Sequence, residues 1–226
     1  MMQPEEHILQ SWHANATAWT NAIRTESIAS RKLVTNKAII DVILRHQPAT
    51  LLDIGCGEGW LCRAVSEHNI EATGIDAVPG LIEAAQQQSE QEFQVCSYQD
   101  IATGNFNPLI KYDAVVFNFS LFGNELVASM LQQLHACIST NGRLFIQTLH
   151  PHTASANEAY KDGWRTGTWS GFSEDFTDPA PWYFRTLESW VTLFSSTGYT
   201  LQEVIEPIHP NTNQPASIIF VCSSRK

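Results

Sequence analysis

Positive charge is what this sequence has least of. Thirteen Lys and Arg stand against 23 Asp and Glu, a formal net charge of −10 over 226 residues. No basic cluster is larger than a neighbouring pair such as Arg31-Lys32. Nucleic-acid binders draw most of their affinity from neutralising phosphates, so no nucleic-acid partner is expected. Long apolar runs are also missing. None approaches the roughly 18 uninterrupted residues of a membrane helix, and no membrane partner is expected. The opening MMQPEEHILQ lacks the basic start and apolar stretch of a signal peptide. The sequons Asn15-Ala16-Thr17 and Asn118-Phe119-Ser120 are therefore expected to stay unmodified. Five cysteines without a Cys-x-x-Cys pair fit a reducing, cytoplasmic setting better than a disulfide framework or a zinc site.

With 43% hydrophobic and 16% charged residues, the chain has the composition of one globular domain spanning 1–226. Residues 1–46 read as a helical cap: Ile8, Trp12 and Trp19 fall at helical spacing within 5–23, and Leu33, Ile40 and Leu44 within 27–46. Pro48 ends that region. Strands then alternate with helices through 49–149, with strands expected at 50–54, 71–75, 93–96, 114–117 and 143–149. Helices are expected at 59–67, 79–88 and 125–138. Such alternation implies an α/β fold with a parallel sheet covered on both faces. Residues 150–185 lose the pattern and are rich in Gly, Pro and aromatics, as a substrate lid would be. A closing helix at 187–196 and strands at 201–205 and 217–222 complete 186–226.

The stretch LLDIGCGEGW, Leu51 to Trp60, carries the chemistry. Gly55 and Gly57 allow a tight turn and let a ligand approach the main chain around Cys56. Asp76 lies at the end of the next strand, 21 residues beyond Gly55, where a carboxylate can accept both hydroxyls of a ribose. A dinucleotide site needs a third glycine for close packing beside the pyrophosphate. Trp60 occupies that position, and Asp53 sets a carboxylate just before the loop. Both argue against NAD and for a ligand bearing an ammonium or sulfonium group. Cys56 reads as a small loop residue, since nothing basic flanks it.

The pattern L-L-D-I-G-C-G-E-G resembles motif I of the class I S-adenosylmethionine-dependent methyltransferases. The likeness runs from Ala49 to Leu149, with Asp76 and YDAVVFNFSLF at the expected intervals. It implies a Rossmann-like class I methyltransferase fold, a seven-stranded mostly parallel sheet with an antiparallel last strand. It also implies S-adenosylmethionine as cofactor and S-adenosylhomocysteine as product. The glycine loop would approach the methionine part, Asp76 the ribose and Ala77 the adenine. Asn118 and Phe119 would face the methyl group and acceptor. The family often has an acid after the third strand, bonded to the adenine amino group. Here the spacing gives Ser97 and Tyr98, or Asp100 in a shifted register. In small members akin to the ubiquinone/menaquinone-biosynthesis group, a helix like 5–23 closes over the cofactor. Arg31 is a candidate for the cofactor carboxylate that spacing does not place.

The acceptor is less marked. Asn118-Phe119-Ser120-Leu121 is not the Asn/Asp-Pro-Pro-Tyr of amino-methyltransferases acting on nucleobases or glutamine amides, and no Pro-Cys offers a cytosine nucleophile. A small-molecule acceptor methylated on oxygen, nitrogen or sulfur is the reading. The alternatives are a tRNA-nucleoside methyltransferase and a non-catalytic S-adenosylmethionine/S-adenosylhomocysteine-binding protein. His150, ahead of His152, is the candidate general base; no metal is expected at His-x-His. Trp164, Tyr183 and Arg185 are the candidate substrate contacts, with Arg165 or Arg185 orienting an anionic group. Monomer and homodimer both remain open.

Overall fold

The computed structural model describes residues 2–156 and 158–225. The chain enters through α1 (Pro4–Arg24), a π turn (Arg31–Thr35) and α2 (Asn36–Arg45). It then alternates β1 (Thr50–Ile54), α3 (Trp60–Ser66), β2 (Glu71–Asp76), α4 (Pro79–Gln86), β3 (Glu92–Val95), α5 (Tyr98–Ala102), β4 (Tyr112–Asn118), α6 (Glu125–Gln133) and β5 (Ile138–Thr148). After α7 (Pro151–Ala154) come β6 (Gly163–Arg165) and β7 (Trp182–Phe184), then α8 (Leu187–Ser196), β8 (Tyr199–Ile205) and β9 (Ile218–Ser224).

Seven strands form one sheet in the order β3-β2-β1-β4-β5-β9-β8, and only β9 runs against its neighbours. The centre of the sheet is apolar because both of its faces are covered. Ile101, Met130, Leu131, Trp190 and Phe194, from α5, α6 and α8, pack on one face. Ile39, Ile43, Leu61, Val65 and Ile82, from α2, α3 and α4, pack on the other. Strand order reverses between β1 and β4, both paired parallel. The crevice beyond the carboxyl ends of such a pair is where open α/β sheets hold ligands.

The expected strands appear within a few residues of their predicted limits, and α8 at its predicted limits. Besides α7, β6 and β7 in the 150–185 segment, two features go beyond the expectation. The second N-terminal helix winds through a π turn at Arg31, a distortion found often at functional sites. Ser97 also starts an additional short helix, α5, through a capping box with Asp100. The helix expected at 125–138 ends at Gln133 and tightens into a 3-10 turn, Leu134–Cys137.

The aromatic segment 150–185 is built as a buttress. β6 and β7 pair antiparallel, and the loop between them sends Trp169, Phe172 and Phe176 against Ala18, Ala22 and Trp19 of α1. Two fully buried polar residues of α1 hold that loop. Asn15 Nδ2 donates to the Thr177 carbonyl at 2.7 Å, and Asn15 Oδ1 accepts from the Thr177 amide at 2.8 Å. Ser11 Oγ donates to the Asp178 carbonyl. Burial of an amide side chain is tolerable only with such partners.

Asn15→Leu keeps the volume of this contact but leaves the Thr177 amide unpaired and its carbonyl with the Trp169 indole as remaining donor. It should cost roughly 1–3 kcal/mol by denaturant unfolding and speed proteolysis between β6 and β7. A variant as stable and as resistant as the parent would mean that the loop does not depend on α1.

Candidate active site

A cavity of about 250 Å³ opens at the carboxyl ends of β1, β2 and β4. Gly55, Cys56 and Gly57 line it, with Asp76 and Ala77 after β2, Ser97 and Tyr98 before and within α5, and Asn118 and Phe119 at the end of β4. Trp12 and Trp19 of α1 roof it, their rings 5.1 Å apart edge to face. Each of these positions follows from where a strand ends.

The glycine loop is held from three sides. The Gly55 and Cys56 amides donate to the Ile75 carbonyl at 2.8 and 3.0 Å. Asp76 accepts from the Gly57 amide through Oδ2 and from the Val78 amide through Oδ1, both at 2.9 Å. Ser120 Oγ donates to the Ile54 carbonyl at 2.9 Å. Gly55 has φ +75°, and a Cβ there would lie 2.5 Å from Ser120 Cβ. Glycine is thus required twice, by conformation and by room.

The charges here are mostly carboxylates. Asp53 is 1% exposed, outside the cavity lining, and its Oδ1 has no hydrogen-bond partner among the described residues. Desolvation, and secondarily Asp76, push it up to about 7, against the pull of Arg31 and a contact with Cys62. Asp76 is raised as well by burial, with its two amide bonds opposing. Burial, with Asp53 close by, also drives the Cys56 thiol well above its ordinary value, so it stays protonated.

Arg31 is the counter-ion. From the π turn its guanidinium lies 4.8 Å from the Trp60 ring centroid and 5.6 Å from that of Trp19. It lines the cavity, its Nη2 has no partner among the described residues, and desolvation lowers it to about 10 despite Glu58 and Asp53. Glu58 itself is taken up by Arg63 at 2.6 Å. The bulky residue that replaces a third glycine, Trp60, thus serves as the platform for this cation.

Asp100 is spent in the cap of α5: its Oδ2 accepts from Ser97 N at 2.9 Å and Ser97 Oγ at 2.6 Å. Ser97 and Tyr98 line the cavity and Asp100 does not. Phe119, the first residue after β4, has φ +55°, an uncommon backbone for a bulky residue. It is held there by its amide bond to the Gln147 carbonyl, 2.8 Å.

Five expected residues lie elsewhere. His150 is outside the cavity lining because its ring is engaged: Nε2 pairs with Glu206 Oε1 at 2.7 Å and Nδ1 accepts from the His152 amide at 3.2 Å. Trp164 and Tyr183 pair with each other across the β6–β7 ribbon, centroids 5.5 Å apart. Arg185 donates to Asn124 O and Oδ1 at 3.1 and 3.2 Å. Arg165 is bound to the Ala154 and Ala159 carbonyls. No described residue of 150–185 lines the main cavity, so this segment supports the roof rather than the floor. Among the described residues no group of three His, Cys, Asp or Glu could hold a metal ion, and no helix is long and apolar enough to cross a membrane.

The raised Asp53 has a consequence for stability. Its carboxyl titrates near about 3.9 in an unfolded chain but at about 7 when folded. The folded state therefore holds the proton more tightly, and this group's contribution is fully present below the unfolded value and lost as pH rises towards 7. Asp53→Asn should gain in melting temperature over the parent as the pH is taken from 5 to 8. A difference that does not change with pH would contradict the assignment.

Residues 29–204 match the methyltransferase domain family. Ubiquinone biosynthesis O-methyltransferase of Coxiella burnetii is 29% identical over 104 residues, 44% of this chain and 43% of that protein. The protein of the same name from Xanthomonas campestris pv. campestris is 32% identical over 110 residues, 45% of this chain and 44% of that one. The matched stretch thus spans less than half the length of these curated relatives. Burkholderia thailandensis 1,6-didemethyltoxoflavin-N1-methyltransferase, solved with 1,6-didemethyltoxoflavin and S-adenosylhomocysteine, has TM-score 0.70 at 16% identity, over 100% of this chain and 92% of that one. An S-adenosylmethionine dependent methyltransferase from Mesorhizobium loti has TM-score 0.58 at 16% identity, over 80% and 95%. The structural likeness is one of fold, the family match covers most of the chain, and the chain belongs to the methyltransferase domain family.

Proposed function

We propose that this chain transfers the methyl group of S-adenosylmethionine to a small-molecule acceptor and releases S-adenosylhomocysteine. The observation that carries this reading is one cavity bordered by a side-chain-free loop, a ribose-competent acid and an unpartnered cation. The Gly55 position has no room for a Cβ, Asp76 lines the cavity, and Arg31 Nη2 is buried without a partner. These suit, in turn, close main-chain approach, a pair of sugar hydroxyls and a carboxylate. The buried Asp53 beside the loop suits an ammonium or sulfonium. Ala77 would lie under the adenine, Ser97 and Tyr98 at its edge, and Cys56 and Gly57 against the methionine chain. The ubiquinone and toxoflavin relatives act on small molecules by their names, which supports a small acceptor here.

When bound, the cofactor supplies a methyl group on a sulfonium, already electrophilic. What remains for the protein is alignment and exclusion of water. Asn118 and Phe119 at the end of β4 would position the acceptor, and Trp12 and Trp19 would keep solvent out. His150 has no place in this arrangement, since its ring is bound to Glu206. The free, buried thiols of all five cysteines support a cytoplasmic setting.

Asp76→Ala should weaken S-adenosylhomocysteine binding by about 1.5–3 kcal/mol, the worth of hydrogen bonds to a charged group, measured by calorimetry. Unchanged affinity would mean that the ribose lies elsewhere. His150→Ala should transfer methyl groups at the parental rate to whichever acceptor a product-formation screen identifies. A loss of about a hundredfold, the scale of a general base, would return His150 to the mechanism.

A further inference from the structure

Arg185 is 4% exposed, yet among the described residues no carboxylate is hydrogen-bonded to it. One guanidinium nitrogen, Nη2, is used on Asn124, and another, Nη1, is buried with no partner among the described residues. The Tyr183 and Trp190 rings flank it at 4.9 and 5.1 Å. The two carboxylates in its field are committed to backbone amides. Asp162 Oδ1 accepts from the Thr186 amide at 2.7 Å, and Glu5 Oε1 from the Asn124 amide at 2.8 Å. An isolated buried cation with an idle donor weakens a fold unless something pairs with it.

A second cavity, of about 10 Å³, adjoins this guanidinium and is bordered by Arg185, Tyr183 and Trp190. That volume is on the order of one water molecule. Its wall is shared: Phe122 lines both this cavity and the large one. In the large cavity the surroundings of Phe122 are mostly apolar, with Trp12 stacked at 5.9 Å and Ile8, Leu9 and Leu126 nearby in the lining, and the one carboxylate there, Glu5, is bonded to the Asn124 and Leu126 amides. Among the described residues Arg31 is the only Lys or Arg that lines the large cavity. One aromatic side chain therefore stands between a mostly apolar corner of the large cavity and an unpaired guanidinium.

We propose that Arg185 is the anion-recognising residue of the acceptor site, reached past Phe122. The methyl acceptor is then a flat, largely apolar molecule that carries a carboxylate. This rests on the reading of the large cavity as a methyltransferase site. A carboxylate suits the planar donor face of Arg185, and it takes the place of the single water that the small cavity can hold once the Phe122 ring turns aside. Arg165, the other arginine of the segment, is excluded because its nitrogens are already bonded to the Ala154 and Ala159 carbonyls.

The test is calorimetric titration of 2-naphthoate and 2-naphthamide, probes of equal shape and different charge, into the full chain with and without S-adenosylhomocysteine. The acid should bind about tenfold more tightly than the amide. Arg185→Met should reduce that ratio to about one while leaving the affinity for the amide in place. Phe122→Ala, which removes the wall, should raise the ratio. A purely structural role for Arg185 would alter stability and leave the ratio alone. Equal binding of acid and amide, binding of neither, or a ratio that survives Arg185→Met would each overturn the proposal. Failure of S-adenosylhomocysteine to bind, with the acid preference intact, would instead count against the cofactor reading.

Discussion

The Asp76 carboxylate is the point on which this site turns. One oxygen holds the Gly57 amide and the other the Val78 amide, so the loop after β1 and the start of α4 are fixed to a single group at the end of β2. The loop can accept that geometry only because its glycines adopt positive φ, +75° at Gly55 and +58° at Gly57. Ser120 then closes in from β4, against the position where Gly55 lacks a Cβ. Three strand ends are thereby brought together at the place where strand order reverses. The cavity is a consequence of that convergence.

Its roof is supplied separately. α1 lays Trp12 and Trp19 over the opening and is held from outside by the aromatic loop of the β6–β7 segment. Glu5 fastens the near end of the helix, accepting from the Asn124 amide at the start of α6. The charges are arranged with similar economy. Asp53, Asp76 and Glu58 are drawn into the interior around the glycine loop, and Arg31 faces them from the π turn, sandwiched by tryptophans. Burial raises Asp53 and Asp76 and lowers the arginine, so the uncharged forms of these three gain ground. A zwitterionic ligand would supply the partners that this cluster lacks.

Much of this was legible in the sequence, for reasons particular to each residue. Leu51 to Ile54 is a short apolar run ending in glycines, and only a buried strand feeding a tight loop accounts for it. Asp76 could be placed because a parallel strand of known length separates it from that loop. Arg31 could not, since a π turn leaves no periodic mark and its partners, Trp19 and Trp60, lie in other elements. The adenine-side register had a signal that went unused: Ser97 and Asp100 stand three apart, the spacing of a capping box, which consumes the acid. The aromatic segment misled because rings that pack on a helix and rings that line a pocket look alike in sequence. Asn15 and Ser11, polar residues on the inner face of α1, were the available sign that something docks there.

The central claim is that the loop and Asp76 hold a nucleoside with a charged amino-acid tail and reject a dinucleotide. Calorimetric titration of the full chain with S-adenosylhomocysteine, with NADH in a parallel experiment, tests it most directly. Saturable one-to-one binding of S-adenosylhomocysteine and no heat from NADH is the result expected from Trp60, Arg31 and Asp53. Binding of NADH alone, or of neither compound, would contradict the account.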